Sequence, residues 1–291
     1  MQPDFDYAYQ YCKEISVKHY ENFPVGSLLI PKSKRKFVYS IYAYARTADD
    51  IADSNKYSGE QKLRMLNDFD NELTKIENET LDTLNPETQN IFIALYNTIN
   101  ELKIPAEELR NLLTAFRQDA IKDRYNNFNE LLEYSKFSAD PIGHLVLYVF
   151  GYNPSKDKEC FHYSDKVCTA LQLANFWQDV SVDLKINRIY IPQKAMHENN
   201  YNEKMLFDKI ENDNFRKIMK ELINDTRTIF DEGKKILSLV RGRLRFELKA
   251  TIIGGLEILN KIERINYNVL STRVEINYFD KLKLAGKLIW K

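Results

Sequence analysis

An all-α fold, a helical bundle around one cavity, is what the sequence predicts, and three observations predict it. Apolar residues recur at helical spacing along most of the chain, alternating strand patterns are nearly absent, and the 9 glycines and 8 prolines are sparse and scattered. No low-complexity linker, internal repeat or composition shift marks a boundary, so a single domain over residues 1–291 is expected. A chain of that length encloses a sizeable core without covalent or metal staples.

The first clear helix begins after Pro31 and Ser33. Phe37, Val38, Ile41, Ala45 and Ala48 fall at helical spacing from Lys34 onward, and the helix runs into Asp49, Asp50 and Asp53. A second pattern covers Thr88 to Leu102. Pro105 opens another, with Leu109, Leu112, Leu113, Phe116 and Ala120 on one face before a polar break at Asn126 and Asn127. Helical patterns also cover Pro141 to Gly151, Phe161 to Asp183, Glu203 to Val240 with an internal break, and Glu247 to Ile265. The most apolar run, Ile142 to Tyr152, is too short for a membrane span and contains His144, so it reads as a buried helix.

The 42 basic and 42 acidic residues cancel, which removes the broad positive field of a nucleic-acid binder; no nucleic-acid partner is expected. Cys12, Cys160 and Cys168 are odd in number and lack CxxC spacing, so neither a disulfide framework nor a zinc site is indicated, and a reducing cytoplasm fits. Met1 to Glu14 carries Asp4 and Asp6 in place of a basic, then apolar, secretory signal. At the other end, Lys281 to Lys291 mixes lysines with Leu282, Leu284, Leu288, Ile289 and Trp290. That composition suits peripheral contact with the inner face of a membrane, or equally a helix packed on the bundle.

Two constellations carry chemistry. In Arg46-Thr-Ala-Asp49-Asp50-Ile-Ala-Asp53, Asp49 and Asp53 lie one helical turn apart on the same face, with Arg46 one turn before Asp49 and Asp50. Three carboxylates this close repel one another unless a cation joins them. Magnesium suits them, because it takes oxygen ligands and binds through one or two carboxylates plus substrate phosphate. The alternative is a solvated acidic helix end. In the second constellation, Gln172, Asn175, Asp179 and Asp183 form a polar stripe along a helix whose other positions include Leu171, Ala174 and Val182, and Arg188-Ile-Tyr190-Ile-Pro192 follows. Buried amides and carboxylates need partners, and a metal with a diphosphate supplies them. Two such helices facing each other would hold ions bridging one diphosphate and stabilise the charge growing on it as a carbon–oxygen bond ionises.

Asp49 to Asp53 and the Gln172 to Pro192 block resemble the two signatures of the squalene/phytoene synthase family, and the similarity runs from about His19 to Arg273. His19 to Pro24, Ala45 to Asp53, Leu173 to Asp179 and Val240 to Arg245 are similar to the hydroxysqualene synthase branch of bacterial hopanoid pathways. The resemblance implies an isoprenoid-synthase-type helical fold around a central cavity. It implies Mg2+ held by Asp49, Asp50, Asp53, Asn175, Asp179 and Asp183. It further implies an isoprenoid diphosphate, presqualene or farnesyl, contacted by Arg46, Gln172, Asn175, Gln178, Arg188, Tyr190 and Arg273, with His19 and Asn22 near a second diphosphate position. Tyr42 and Tyr134 match aromatic positions that line the cavity, where a ring face stabilises a passing carbocation; ordinary core packing is the alternative.

This sequence departs from the wider family pattern at four positions. Gln178 stands where many members carry arginine, Asn22 where serine is common, Cys168 where the signature has glycine, and Leu256 where a dehydrosqualene-forming relative has tyrosine. Losing the arginine removes a fixed positive charge beside Asp179 and favours a substrate with one diphosphate. The expected reaction is that of a hydroxysqualene synthase, presqualene diphosphate plus water giving hydroxysqualene and diphosphate. Squalene, dehydrosqualene or presqualene diphosphate synthesis is the near alternative, a terpene cyclase or a non-catalytic helical assembly protein the distant one. NADPH is not expected, because water and not hydride ends this reaction; the lack of GxGxxG speaks only against a Rossmann-bound reductant, and squalene-forming relatives use NADPH without that fold.

Asp119 and Asp123, beside Arg117 and Arg124, suggest a salt-bridged helix surface. Arg241, Arg243 and Arg245 suggest a helix-terminal charge run satisfied by solvent and the dipole.

Overall fold

The structure, a computed structural model, describes residues 3–18, 30–277 and 280; His19, Asn22 and the Lys281–Lys291 segment lie outside the described residues. Among the described residues there are helices and no strands, with a lone bridge between Arg124 and Ile189. In chain order the helices are α1 (Phe5–Lys18), α2 (Arg35–Asp53), α3 (Gly59–Glu77), α4 (Gln89–Leu102), α5 (Glu107–Asp119), α6 (Phe128–Ser138) and α7 (Asp140–Phe150). They continue as α8 (Lys158–Asp183), α9 (Gln193–Glu198), α10 (Glu203–Phe207), α11 (Asp213–Gly233), α12 (Ile236–Leu239) and α13 (Gly242–Arg264). The chain divides into two compact units, Met1–Lys122 with Pro141–Phe161, and Asp123–Asp140 with His162–Lys291.

In the first unit α2 packs against α1, α3, α4 and α5. Its inward face is Phe37, Val38, Ser40, Ile41, Ala43, Tyr44, Ala48 and Ala52, the apolar stripe expected of a central helix. The Tyr44 hydroxyl donates to the Leu109 carbonyl at 3.1 Å, which satisfies the one polar atom of a fully buried ring. That ring meets Phe69 and Phe92, each at 5.9 Å. A buried hydroxyl cluster ties three helices: Thr98 Oγ1 of α4 lies 3.0 Å from Tyr9 Oη of α1 and 2.7 Å from Ser40 Oγ of α2.

In the second unit the axis of α8 is fixed by close helix approach. A Cβ on Gly233 of α11 would lie 2.9 Å from the Val167 backbone nitrogen of α8. One on Gly255 of α13 would lie 2.6 Å from the Phe230 ring and 2.9 Å from Leu171. Only glycine permits these separations. Trp177, fully buried on α8, donates Nε1–H to Thr226 Oγ1 of α11 at 2.8 Å and fixes the rotation of the helix.

Several boundaries differ from the sequence pattern for stated reasons. The Glu203 to Val240 stretch is three helices, because Lys209 turns into the left-handed region and Asn212 starts α11 anew by accepting from the Phe215 amide at 3.0 Å. Helix α5 ends at Asp119, so the four-residue spacing to Asp123 is not a helical one. Ion pairing is nonetheless present: Arg117 binds Asp70 at 2.9 Å, and Arg124 lies 3.6 Å from Asp123. Helix α13 begins at Gly242, so the exposed Arg243 and Arg245 occupy its first turn, where the dipole is positive and does not offset them as expected.

All three cysteines are free thiols, and burial pushes Cys12 up to about 12. Among the described residues no helix is long and apolar enough to cross a membrane.

Thr98→Val keeps the shape but deprives Tyr9 and Ser40 of a buried partner. It should cost about 1–3 kcal/mol of stability, read as a lower denaturation midpoint in urea with an unchanged slope.

Candidate active site

The first unit contributes the C-terminal half of α2. Along the helix from Val38 to Asp49 lies a cavity of about 240 Å3, lined by Val38, Ile41, Ala45, Phe116, Ile142, Leu145, Val146 and Val149, with Tyr42, Arg46 and Asp49 as its polar members. The cavity is therefore apolar with an ionic edge. Arg46 bridges two carboxylates, with Nη1 3.3 Å from Asp49 and Nη2 2.5 Å from Asp50, while its buried Nε makes no hydrogen bond. These side chains keep partial contact with solvent, 26% for Arg46, 37% for Asp49 and 48% for Asp50, so a polar ligand reaches them without unfolding the helix. Burial raises the Tyr42 hydroxyl pKa; Arg46 opposes that effect, and Asp49 and Asp50 add to it. Tyr42 is thus a neutral phenol at neutral pH, its ring against the apolar cavity. Asp53, one turn beyond Asp49, is exposed and does not line the cavity.

The second unit contributes the last three turns of α8. Gln172 and Asp179 are half-buried, Asn175 is exposed, and Asp183 closes the helix. Asp179 is gripped by Arg273, whose Nε lies 2.6 Å from one carboxylate oxygen and whose Nη2 lies 3.3 Å from the other. Gln178, one residue earlier, is nearly buried and donates its amide to the Val274 carbonyl at 2.6 Å. Asp183, Arg188 and Tyr190 border one small recess with Phe176 and Val180.

An aromatic cluster backs this end of α8. The Phe176 and Tyr190 rings stack with centroids 3.7 Å apart at 10°. Tyr134 sits 6.0 Å from Phe176 and 6.4 Å from Tyr190, and Tyr125 stacks on Tyr190 at 5.4 Å. Sequence reasoning singles out Tyr134 and Tyr190 and misses Phe176 and Tyr125 as their companions. Phe176 carries a signal for it, an aromatic inside a polar stripe. Tyr125 carries none, since it lies in a loop.

Two acid-rich helix ends, each answered by an arginine, are accompanied here by sequence similarity over nearly the whole chain, with residues 16–280 matching the squalene/phytoene synthase profile. The chain belongs to the squalene/phytoene synthase family. It is 30% identical over 245 residues to the hydroxysqualene synthase of Sinorhizobium fredii, covering 84% of this chain and 80% of that protein. It is also 26% identical over 284 residues to 15-cis-phytoene synthase of Synechococcus elongatus, covering 94% and 90%. The crystal structure of squalene synthase HpnC from Alicyclobacillus acidocaldarius superposes with a TM-score of 0.82 at 33% identity, over 91% of this chain and 96% of that one. The all-α, isoprenoid-synthase-type fold is thereby established for this squalene/phytoene synthase family member.

Phe176→Leu removes the ring on which Tyr190 stacks. It should destabilise the protein by about 1–3 kcal/mol, through a lost aromatic pair and a small cavity, measurable by chemical denaturation.

Proposed function

We propose that this protein is a hydroxysqualene synthase: it ionises presqualene diphosphate and lets water capture the rearranged cation, releasing hydroxysqualene and diphosphate. The observation that carries the reading is the cavity in the first unit, whose lining is apolar except where Tyr42, Arg46 and Asp49 meet it. That polarity matches a hydrocarbon bearing one anionic head. The relative from Sinorhizobium fredii supports the branch. So does Gln178, which spends its amide on the Val274 backbone and leaves no guanidinium at that position for a second diphosphate.

The carboxylates fit Mg2+ in kind. Asp49 and Asp53 on α2, and Asp179 and Asp183 with Asn175 on α8, offer only oxygen donors at one-turn spacing. Among the described residues no three His, Cys, Asp or Glu side chains are gathered to cage an ion, so the pairs suit a cation that brings phosphate ligands with it. When bound, the metal would neutralise the charge accumulating on the departing diphosphate.

The chain's own residues do the rest. In the first unit Arg46 offers a guanidinium to phosphate oxygens; in the second Arg273 does, with Gln172, Arg188 and Tyr190 as further polar groups. Tyr42 in the first unit, and Tyr134 in the second, each offer a ring face that suits a cation left when the carbon–oxygen electron pair departs with diphosphate. Water then donates its oxygen lone pair to the carbon, and the released proton passes to diphosphate or solvent. Asp49→Asn and Asp179→Asn should each lower turnover by at least about a hundredfold while leaving the circular dichroism spectrum unchanged. EDTA should stop the reaction and magnesium restore it.

Product identity separates this reading from its neighbours. With presqualene diphosphate and magnesium, hydroxysqualene should form without NADPH and should carry label from water enriched in heavy oxygen. Squalene formed only with NADPH, or farnesyl or geranylgeranyl diphosphate consumed alone, would assign the protein to another branch. We further propose a cytoplasmic enzyme that touches the inner face of the membrane, since the organic product is a long hydrocarbon with a single hydroxyl; Lys281–Lys291 is the segment that suits this contact.

A further inference from the structure

We infer that Gln178 is a positioning residue that holds Arg273 on Asp179, so that the second acidic motif is closed to a bare metal ion and opens to one that arrives with diphosphate. The inference rests on the reading of Asp179 as a metal ligand.

Residues 178 and 179 meet residues 273 and 274 in register. Gln178 Nε2 donates to Val274 O at 2.6 Å, and one residue along, Arg273 spans both oxygens of Asp179 at 2.6 and 3.3 Å. Arg273 also binds Glu275 at 2.9 Å through Nη1, so its guanidinium is steered from two sides. The stretch 272–277 has no helix or strand of its own to fix it. The Gln178 bond, from an amide that is nearly buried, ties its backbone next to Asp179, while the Lys261 Nζ bond to the Glu275 carbonyl at 2.8 Å and the buried Val274 side chain anchor it further along. Without it, the anchor next to Asp179 is lost, and Arg273 depends more on ion pairs that are 41% exposed on the arginine side, and such pairs hold long side chains weakly.

A guanidinium on both carboxylate oxygens occupies the positions a cation would take, and its charge repels that cation. An ion entering Asp179 alone must therefore displace Arg273 from it, leaving the guanidinium with Glu275 as its remaining acceptor. Diphosphate removes that cost, because its oxygens accept the displaced guanidinium. Metal and diphosphate then favour each other's binding, and the coupling is reciprocal. The arrangement also explains why an uncharged amide serves at position 178. It reaches a carbonyl acceptor with no second positive charge beside Asp179.

The test is binding, not turnover: Mn2+ titrated into the full-length protein and followed by its electron paramagnetic resonance signal, with and without inorganic diphosphate. In the wild type, diphosphate should tighten Mn2+ binding. Gln178→Met changes no charge. It should strengthen Mn2+ binding in the absence of diphosphate by roughly threefold, within what a partly exposed ion pair supplies, and shrink the effect of diphosphate. Arg273→Lys, which keeps the charge and loses the two-point grip, should shift both quantities in the same direction, and it serves if the Gln178 variant does not fold. Wild-type Mn2+ affinity in folded Gln178→Met, or in folded Arg273→Lys, overturns the inference and leaves the metal site standing if Asp179→Asn loses Mn2+. Undiminished Mn2+ binding by Asp179→Asn overturns the metal reading of Asp179 and the inference with it.

Discussion

Carboxylates one turn apart on a helix repel, and a helix that carries them at its C-terminal end also sets them against the negative end of its own dipole. Both acid-rich helices here have that problem. In each compact unit a guanidinium answers it: Arg46 bridges Asp49 and Asp50, and Arg273 spans Asp179. These contacts are partly exposed, so their direct contribution to stability is small. Their importance lies elsewhere. They keep anionic groups paired in the protein without ligand while leaving them reachable, which a fully buried pair would not.

The packing behind these ends is of a different character. Trp177 bonded to Thr226, Gly233 against Val167 and Gly255 against Leu171 leave α8 little freedom to rotate or slide. A stripe read along α8 therefore stays a stripe in space, and Asp179 faces Arg273 because Trp177 faces the core. The same logic holds for α2, where Ala43, Ala48 and Ala52 sit inward and Tyr44 is fixed at both ring and hydroxyl. Rigid apolar faces thus carry adaptable polar ones, the division of labour a site needs if ionic contacts are to be exchanged on binding.

The long periodic helices were legible because a single physical signal defines them. Pro31 and Ser33 announce a start, and a short 3-10 turn at Lys32–Lys34 leads into α2, which ends at Asp53. Helix α3 is harder to read, being rich in charge, although its capping box of Ser58 and Gln61 and its inward Leu66, Phe69, Leu73 and Ile76 are written in the sequence. Breaks such as the one at Lys209 depend on left-handed backbone at a residue other than glycine, which no pattern of apolar spacing encodes. For the site, residue identity on α2 and α8 named the acidic motifs and Arg46, whereas Arg273, outside both helices, was named through the family resemblance. Residue identity did not suffice for contacts made to backbone or from loops. The Val274 carbonyl that Gln178 meets has no side-chain signature, and Tyr125 joins the aromatic cluster only because the Arg124–Ile189 bridge brings its loop beside Tyr190.

Gln178 shows how a single departure from a family pattern acquires meaning only when its partner is known. Read alone, a glutamine in place of arginine is a lost charge, and a lost charge predicts weaker phosphate binding. Seen with Val274, it is also a gained strut, since an amide nitrogen reaches a carbonyl that lies beside Arg273. The two descriptions are compatible, and together they say more than either. Beside Asp179 the protein keeps the Arg273 guanidinium, and Gln178 holds the backbone next to it. A guanidinium that passes between a carboxylate and a phosphate oxygen suits a diphosphate that must be both bound and let go.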